Sequence, residues 1–151
     1  MAKVNYEETL NIAKEKGLIL EGDKYCFCYI KPRDVFEKGV SWTIISKVDA
    51  LFVVNDNEIK IYHLDQKTGQ LLGSADIFKR EEIEFLWAST FIVYDIQLNA
   101  LKTRNYSQGF DPSKKFRGFN QDLLRKDVIN FIKENYVKPY KEAKKAKKNS
   151  K

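Results

Sequence analysis

The hydrophobic positions change their period twice along the chain. Near the N-terminus, in NYEETLNIAKEKG, Leu10 and Ala13 are the apolar positions of a short helix predicted over 5–16. Asn5 suits its N-cap, with Glu8 three residues on as a loose capping box, and Gly17 suits its stop. A stripe this thin predicts a helix lying on the surface of a larger body. From Leu18 the period falls to two, and strand-like runs follow at 25–30, 40–45, 50–54, 58–63, 70–78 (with a kink at Gly73), 82–87, 90–98 and 101–106. ALFVV-NDN-EIKIYHL reads as a hairpin, because Asn and Asp tolerate left-handed backbone angles, and DQKTG at 65–69 marks the next turn. Strands at a spacing of about ten residues with polar turns predict an antiparallel sandwich or barrel.

The period returns to that of a helix at 121–136. Asn120 is the expected N-cap, and Phe119 before it is placed to staple onto Leu124. Leu124, Val128, Phe131, Ile132 and Tyr136 then form one apolar stripe, and Pro139 is expected to end the helix. Such a helix must cover a hydrophobic opening.

A run of short antiparallel strands closed by one C-terminal amphipathic helix, together with the segment ADIFKREEIEFLWASTFIVYDIQL, resembles the bacterial pleckstrin-homology-like (PH-like) domains. The resemblance covers about residues 25–136. It implies a half-open barrel of about seven strands whose helix plugs one end, with the N-terminal helix as an addition. The fold class is thus α+β, mainly β. The resemblance also implies a binding or assembly module without catalysis. Phosphoinositide-binding relatives use clustered basic residues near the first two strands; here CYIKPRDVFEKGVSW offers Lys31, Arg33 and Lys38, diluted by Asp34 and Glu37, which puts that role in doubt.

Charge divides the chain. Residues 138–151 hold seven lysines against Glu142, a net of +6, which is also the net charge of the whole protein. Residues 1–137 therefore balance to zero and form the single expected domain, and 138–151 form a basic tail expected to be disordered or frayed by repulsion. No run is apolar enough to span a bilayer, the N-terminus lacks a secretory apolar core, and Cys26 and Cys28 have no distant partner. These features predict a cytoplasmic setting.

Candidate chemistry is sparse. His63 reads as a partly exposed strand residue without a signature nucleophile. Cys26 and Cys28 share one strand face and read as buried small residues, since a zinc site needs about four ligands. Glu82 and Glu84 read as a solvated strand face. No Gly-rich phosphate loop is present. The expectation is no enzyme, no cofactor and no metal. Two stretches invite binding: Lys102, Arg104, Lys114, Lys115 and Arg117, interleaved with Tyr106, Phe110, Phe116 and Phe119, and the tail lysines Lys144, Lys145, Lys147 and Lys148. Basic groups neutralise phosphates and aromatic faces stack bases, so these suit nucleic acid or an anionic membrane. For the 102–119 stretch the favoured reading is structural, a last strand and connection whose aromatics pack inward near the helix, as Phe119 does in the staple. The expected function is an interaction or scaffold module for a protein, a peptide or its own copies, with Trp42 and Trp87 as possible anchors. The alternative is an electrostatic binder of nucleic acid or anionic membrane.

Overall fold

Local turn chemistry sets the first half of the molecule. In the computed structural model, which describes residues 5–30, 48–90, 94–101 and 105–149, α1 (Tyr6–Glu15) is capped by Asn5, whose Oδ1 accepts from Glu8 N at 3.1 Å. Gly17 follows with φ +74°, a conformation in which a Cβ would be strained. The strands are β1 (Lys24–Ile30), β2 (Val48–Val54), β3 (Glu58–Asp65), β4 (Leu71–Lys79), β5 (Phe85–Ser89), β6 (Asp95–Ala100) and β7 (Tyr106–Asp111). Asn55 turns β2 into β3: its Oδ1 accepts from Asn57 N and Glu58 N, and Val54 pairs with Ile59. Asp65 does the same between β3 and β4, accepting from Lys67 N and Thr68 N.

The seven strands form one antiparallel sheet in the order β4-β3-β2-β1-β7-β6-β5. It is not a closed barrel: β4 and β5 are its two edges. The two meanders join at β1, which meets β7 through Tyr29–Asp111 and Ile30–Phe110. Beyond that seam the buried Gln121 takes over. Its Oε1 accepts from Phe27 N at 2.7 Å, and its Nε2 donates to Phe27 O at 2.8 Å and to Ser113 O at 2.7 Å.

Alternation gives the sheet two buried faces. Cys26, Phe52, Ile59, Ile61, Leu86, Ile96, Leu98 and Phe110 face the C-terminal helix, which contributes Val128, Ile129, Ile132, Tyr136 and Val137. Each large side chain so buried contributes roughly 1.5–3 kcal/mol. The opposite face, with Phe27, Leu51, Val53, Tyr62 and Leu64, is covered by Tyr6, Leu10 and Ala13 of α1 and by Phe116. The thin stripe of α1 thus closes a second core.

Several expectations shift. The helix begins one residue late, as α2 (Asp122–Ile132) with Gln121 at the cap, because the Gln121 side chain is drawn to Phe27; Asn120 still accepts from Asp122 N. Residues 80–82 form a 3₁₀ turn, in which Glu82 accepts from Lys79 N, and β5 starts only at Phe85. The last long strand is 106–111 rather than 101–106, and Lys115–Phe116 and Phe119–Asn120 add a small hairpin, β8 and β9.

The helix also does not stop at Pro139. A π-helical turn over Lys133–Val137 leads into α3 (Lys138–Asn149). Pro139 has no N–H for the Asn135 carbonyl four residues back, and Arg80 Nη2 donates to that carbonyl instead. Residues 138–149 are therefore helical where charge repulsion predicts fraying. The run at 40–45, with Trp42, lies outside the described residues, as do Lys31, Arg33 and Lys38.

Candidate functional site

The predicted basic residues fall on two elements. Lys114, Lys115 and Arg117 sit on the β8–β9 hairpin, which packs through Phe116 onto the α1 side of the sheet. Lys144, Lys145, Lys147 and Lys148 are exposed along α3. Lys102 and Arg104 lie outside the described residues.

Arg117 is held by the fold itself. Its Nε donates to Asp49 Oδ2 at 2.7 Å and its Nη2 to Oδ1 at 3.1 Å, while its own N–H donates to the Tyr29 hydroxyl. Asp49 is 1% exposed, and its hydrogen bond holds the Arg117 guanidinium further in the charged state. A bidentate pair to a buried carboxylate leaves little charge for an outside anion. The aromatics of this stretch are likewise committed: Phe110 and Phe116 are fully buried, and Phe119 is half-buried.

His63 has neighbours that the sequence does not reveal. Its Nδ1 lies 2.8 Å from Ser74 Oγ and its Nε2 lies 3.2 Å from Asp76 Oδ2. The register shifts at this point, and Gly73, with φ +82°, turns Ser74 toward the ring. Ser74 stands exposed on the β4 edge rather than in a walled cleft, so the trio ties the edge strand across its irregularity. Cys26 and Cys28 are fully buried with their sulfurs 3.8 Å apart, and burial pushes the Cys28 thiol well up. Among the described residues no group of three or more His, Cys, Asp or Glu could hold a metal ion. No described helix is long and apolar enough to cross a membrane.

The geometry concentrates instead around β5. The C-terminal helix passes this edge strand, leaving a groove of about 530 Å³ lined by Trp87 to Thr90 on one wall and by Lys133, Val137, Lys138, Lys141 and Glu142 on the other. A smaller cavity of about 250 Å³ lies between Arg80, Phe85, Tyr136 and Tyr140. The rings of Phe85 and Trp87 stack at 5.6 Å, and Tyr140 meets Phe85 edge-on at 5.7 Å. Lys141 Nζ stands 4.9 Å over the Trp87 ring, and Lys133 Nζ donates to Thr90 Oγ1 at 3.2 Å. Trp87 is thus half-buried, part core and part groove wall. Of this set, the sequence singles out Trp87 alone as an anchor. Tyr140 and Lys141 gain their contacts from the helix running past Pro139, and Lys133 and Thr90 from the way the helix crosses β5.

No protein family matches the chain by sequence, and none of the curated proteins does. Among solved structures it is similar to the hSac2 domain from human phosphoinositide phosphatase Sac2, at 11% identity and a TM-score of 0.45, over 86% of this chain and 82% of that one. A likeness at this level says nothing of what this chain binds.

Proposed function

We propose that this chain is a non-enzymatic, PH-like interaction module that takes a protein segment along its β5 edge. The observation that supports it is the groove in which the terminal strand of the sheet faces the C-terminal helix. An extended segment entering there adds a strand. Its main chain hydrogen-bonds to β5, and its alternate side chains meet Trp87 and the helix. The zero net charge of residues 1–137 favours such local recognition over a bulk electrostatic role for that part of the chain.

The test is a random peptide library displayed against the full-length chain, with the bound site mapped by amide chemical shifts. Shifts centred on residues 85–90 and 133–142 support the reading, and shifts centred elsewhere, or no selected peptide, overturn it. Sedimentation at two concentrations checks the self-assembly version, in which the segment comes from a second copy.

A second reading draws on the four exposed lysines of α3 at 144, 145, 147 and 148. As an electrostatic tether they bind anionic vesicles or RNA with an affinity that collapses as salt rises. Truncation must spare the groove: a cut after Val137 removes Tyr140 and Lys141, whereas residues 1–142 keep both.

A further inference from the structure

The groove beside β5 has a sign as well as a shape. Three of its lining residues are lysines, and Glu142 is the single acid among those described. Two of the ammonium groups are positioned. Lys133 is tied to the Thr90 hydroxyl at 3.2 Å, and Lys141 lies 4.9 Å over the Trp87 indole. A cation already held in place loses less side-chain freedom when it meets an anion, so it discriminates better than a trailing lysine. The lysines of α3 beyond residue 142 lie outside the groove, and Lys144 Nζ stands 5.9 Å from the Tyr140 ring centre instead.

We propose that the segment taken by this groove is acidic: an extended protein segment with Asp or Glu at alternate positions. This rests on the protein-binding reading above and names the chemistry of its partner. Side chains of an added strand alternate between two faces, so every second residue is presented to the same wall. With the backbone along β5, the carboxylates on the helix side meet Lys133 and Lys141. Charge complementarity inside a cleft bounded by a strand selects a polypeptide over a lipid surface, because main-chain pairing supplies what a headgroup lacks. Exposed ion pairs add modestly to affinity and strongly to the choice of partner.

The experiment selects a random displayed peptide library on the full-length chain at physiological salt. Enrichment of Asp and Glu by about threefold over the input, at alternate positions, is expected. A selected peptide should lose about 5- to 10-fold in affinity for K133Q/K141Q and less than about twofold for K144Q/K145Q/K147Q/K148Q, in proportion to the two exposed pairs removed. Both variants change surface or half-buried lysines, and unchanged circular dichroism establishes that they fold. Neutral or basic peptides whose shifts map to the groove overturn the acidic preference and leave the groove reading standing. Peptides that map elsewhere, or a failed selection, overturn the groove reading itself. A loss that follows the α3 variant instead of the groove variant also overturns the proposal, as would equal binding of RNA or anionic vesicles at the same residues.

Discussion

The side-chain amide of Gln121 binds both the N–H and the C=O of Phe27, as a neighbouring strand would, at 2.7 and 2.8 Å. It occupies the free edge of β1 where β7 no longer pairs, and it is 1% exposed. Replacing it by leucine keeps most of the volume and strands two buried backbone groups. Q121L is expected to cost about 2–4 kcal/mol in urea unfolding, more than an ordinary surface change. Q121E keeps the acceptor and loses the donor, so it should also be destabilising. A Q121L variant as stable as the parent would show that the seam does not need this pair.

Arg80 meets the helix at the point Pro139 weakens. Its Nη2 donates to the Asn135 carbonyl, its Nη1 to Asp56 O at 2.9 Å, and its guanidinium lies 4.3 Å from the Tyr136 ring centre. R80A is expected to cost about 1–3 kcal/mol. In a P139A background the backbone at this position regains an N–H to offer Asn135, and the cost of R80A should fall. A double-mutant cycle with no coupling between the two sites would contradict this account.

Arg117 is expected to matter for stability and not for binding. R117A strands the buried carboxylate of Asp49 and should cost about 3 kcal/mol, most of it recovered in D49A/R117A. Binding of RNA or vesicles by R117A, measured where the protein is folded, should stay within about twofold of the parent. Strongly weakened binding in a folded R117A would return this residue to the anion site predicted from the sequence.

Two tyrosines should shape alkaline unfolding. Burial raises both Tyr6 and Tyr136 from 10.0 to about 12. An unfolded chain releases these protons near pH 10 and the folded chain keeps them, so stability is unaffected below pH 10 and falls between pH 10 and 12. The loss is on the order of 2 kcal/mol from each. Tyr6, 3% exposed, has no hydrogen-bond partner for its hydroxyl among the described residues, so Y6F should gain about 1 kcal/mol at pH 7 and soften the alkaline fall. Tyr136 donates to Asn55 O at 2.6 Å, so Y136F should lose about 1 kcal/mol at pH 7. Urea midpoints from pH 7 to 11.5 separate the two. A Y6F variant weaker than the parent at neutral pH would contradict the unpartnered hydroxyl.

What the sequence discloses is local. Asn55, Asp65, Asn5 and Gly17 shape turns and caps with their nearest neighbours, and those elements fall where the pattern predicts. The strand at 106–111 is harder to read because Ser107, Gln108 and Gly109 interrupt its alternation and Phe110 alone is fully buried. Gln121 and Arg80 act on residues far away in the chain, and no local pattern foretells either contact. The continuation past Pro139 has the same cause. The site is half legible for this reason: the tail lysines are plain in the composition, while the pairing of Lys133 with Thr90 and of Lys141 with Trp87 depends on how the helix crosses β5.

The seam between β1 and β7 bears on how the chain folds. Strands β2–β3–β4 and β5–β6–β7 are meanders of neighbours in sequence, formed by short loops at small entropic cost. Ile30 and Phe110, by contrast, must find each other across most of the domain; among the described residues the Tyr29–Asp111 and Ile30–Phe110 pairs and the Gln121 amide join the two halves. Assembly in which both meanders form early and the seam zips last, once α2 brings Gln121 down, is the order this topology favours. Mutations at Gln121 should therefore hasten unfolding far more than they slow refolding.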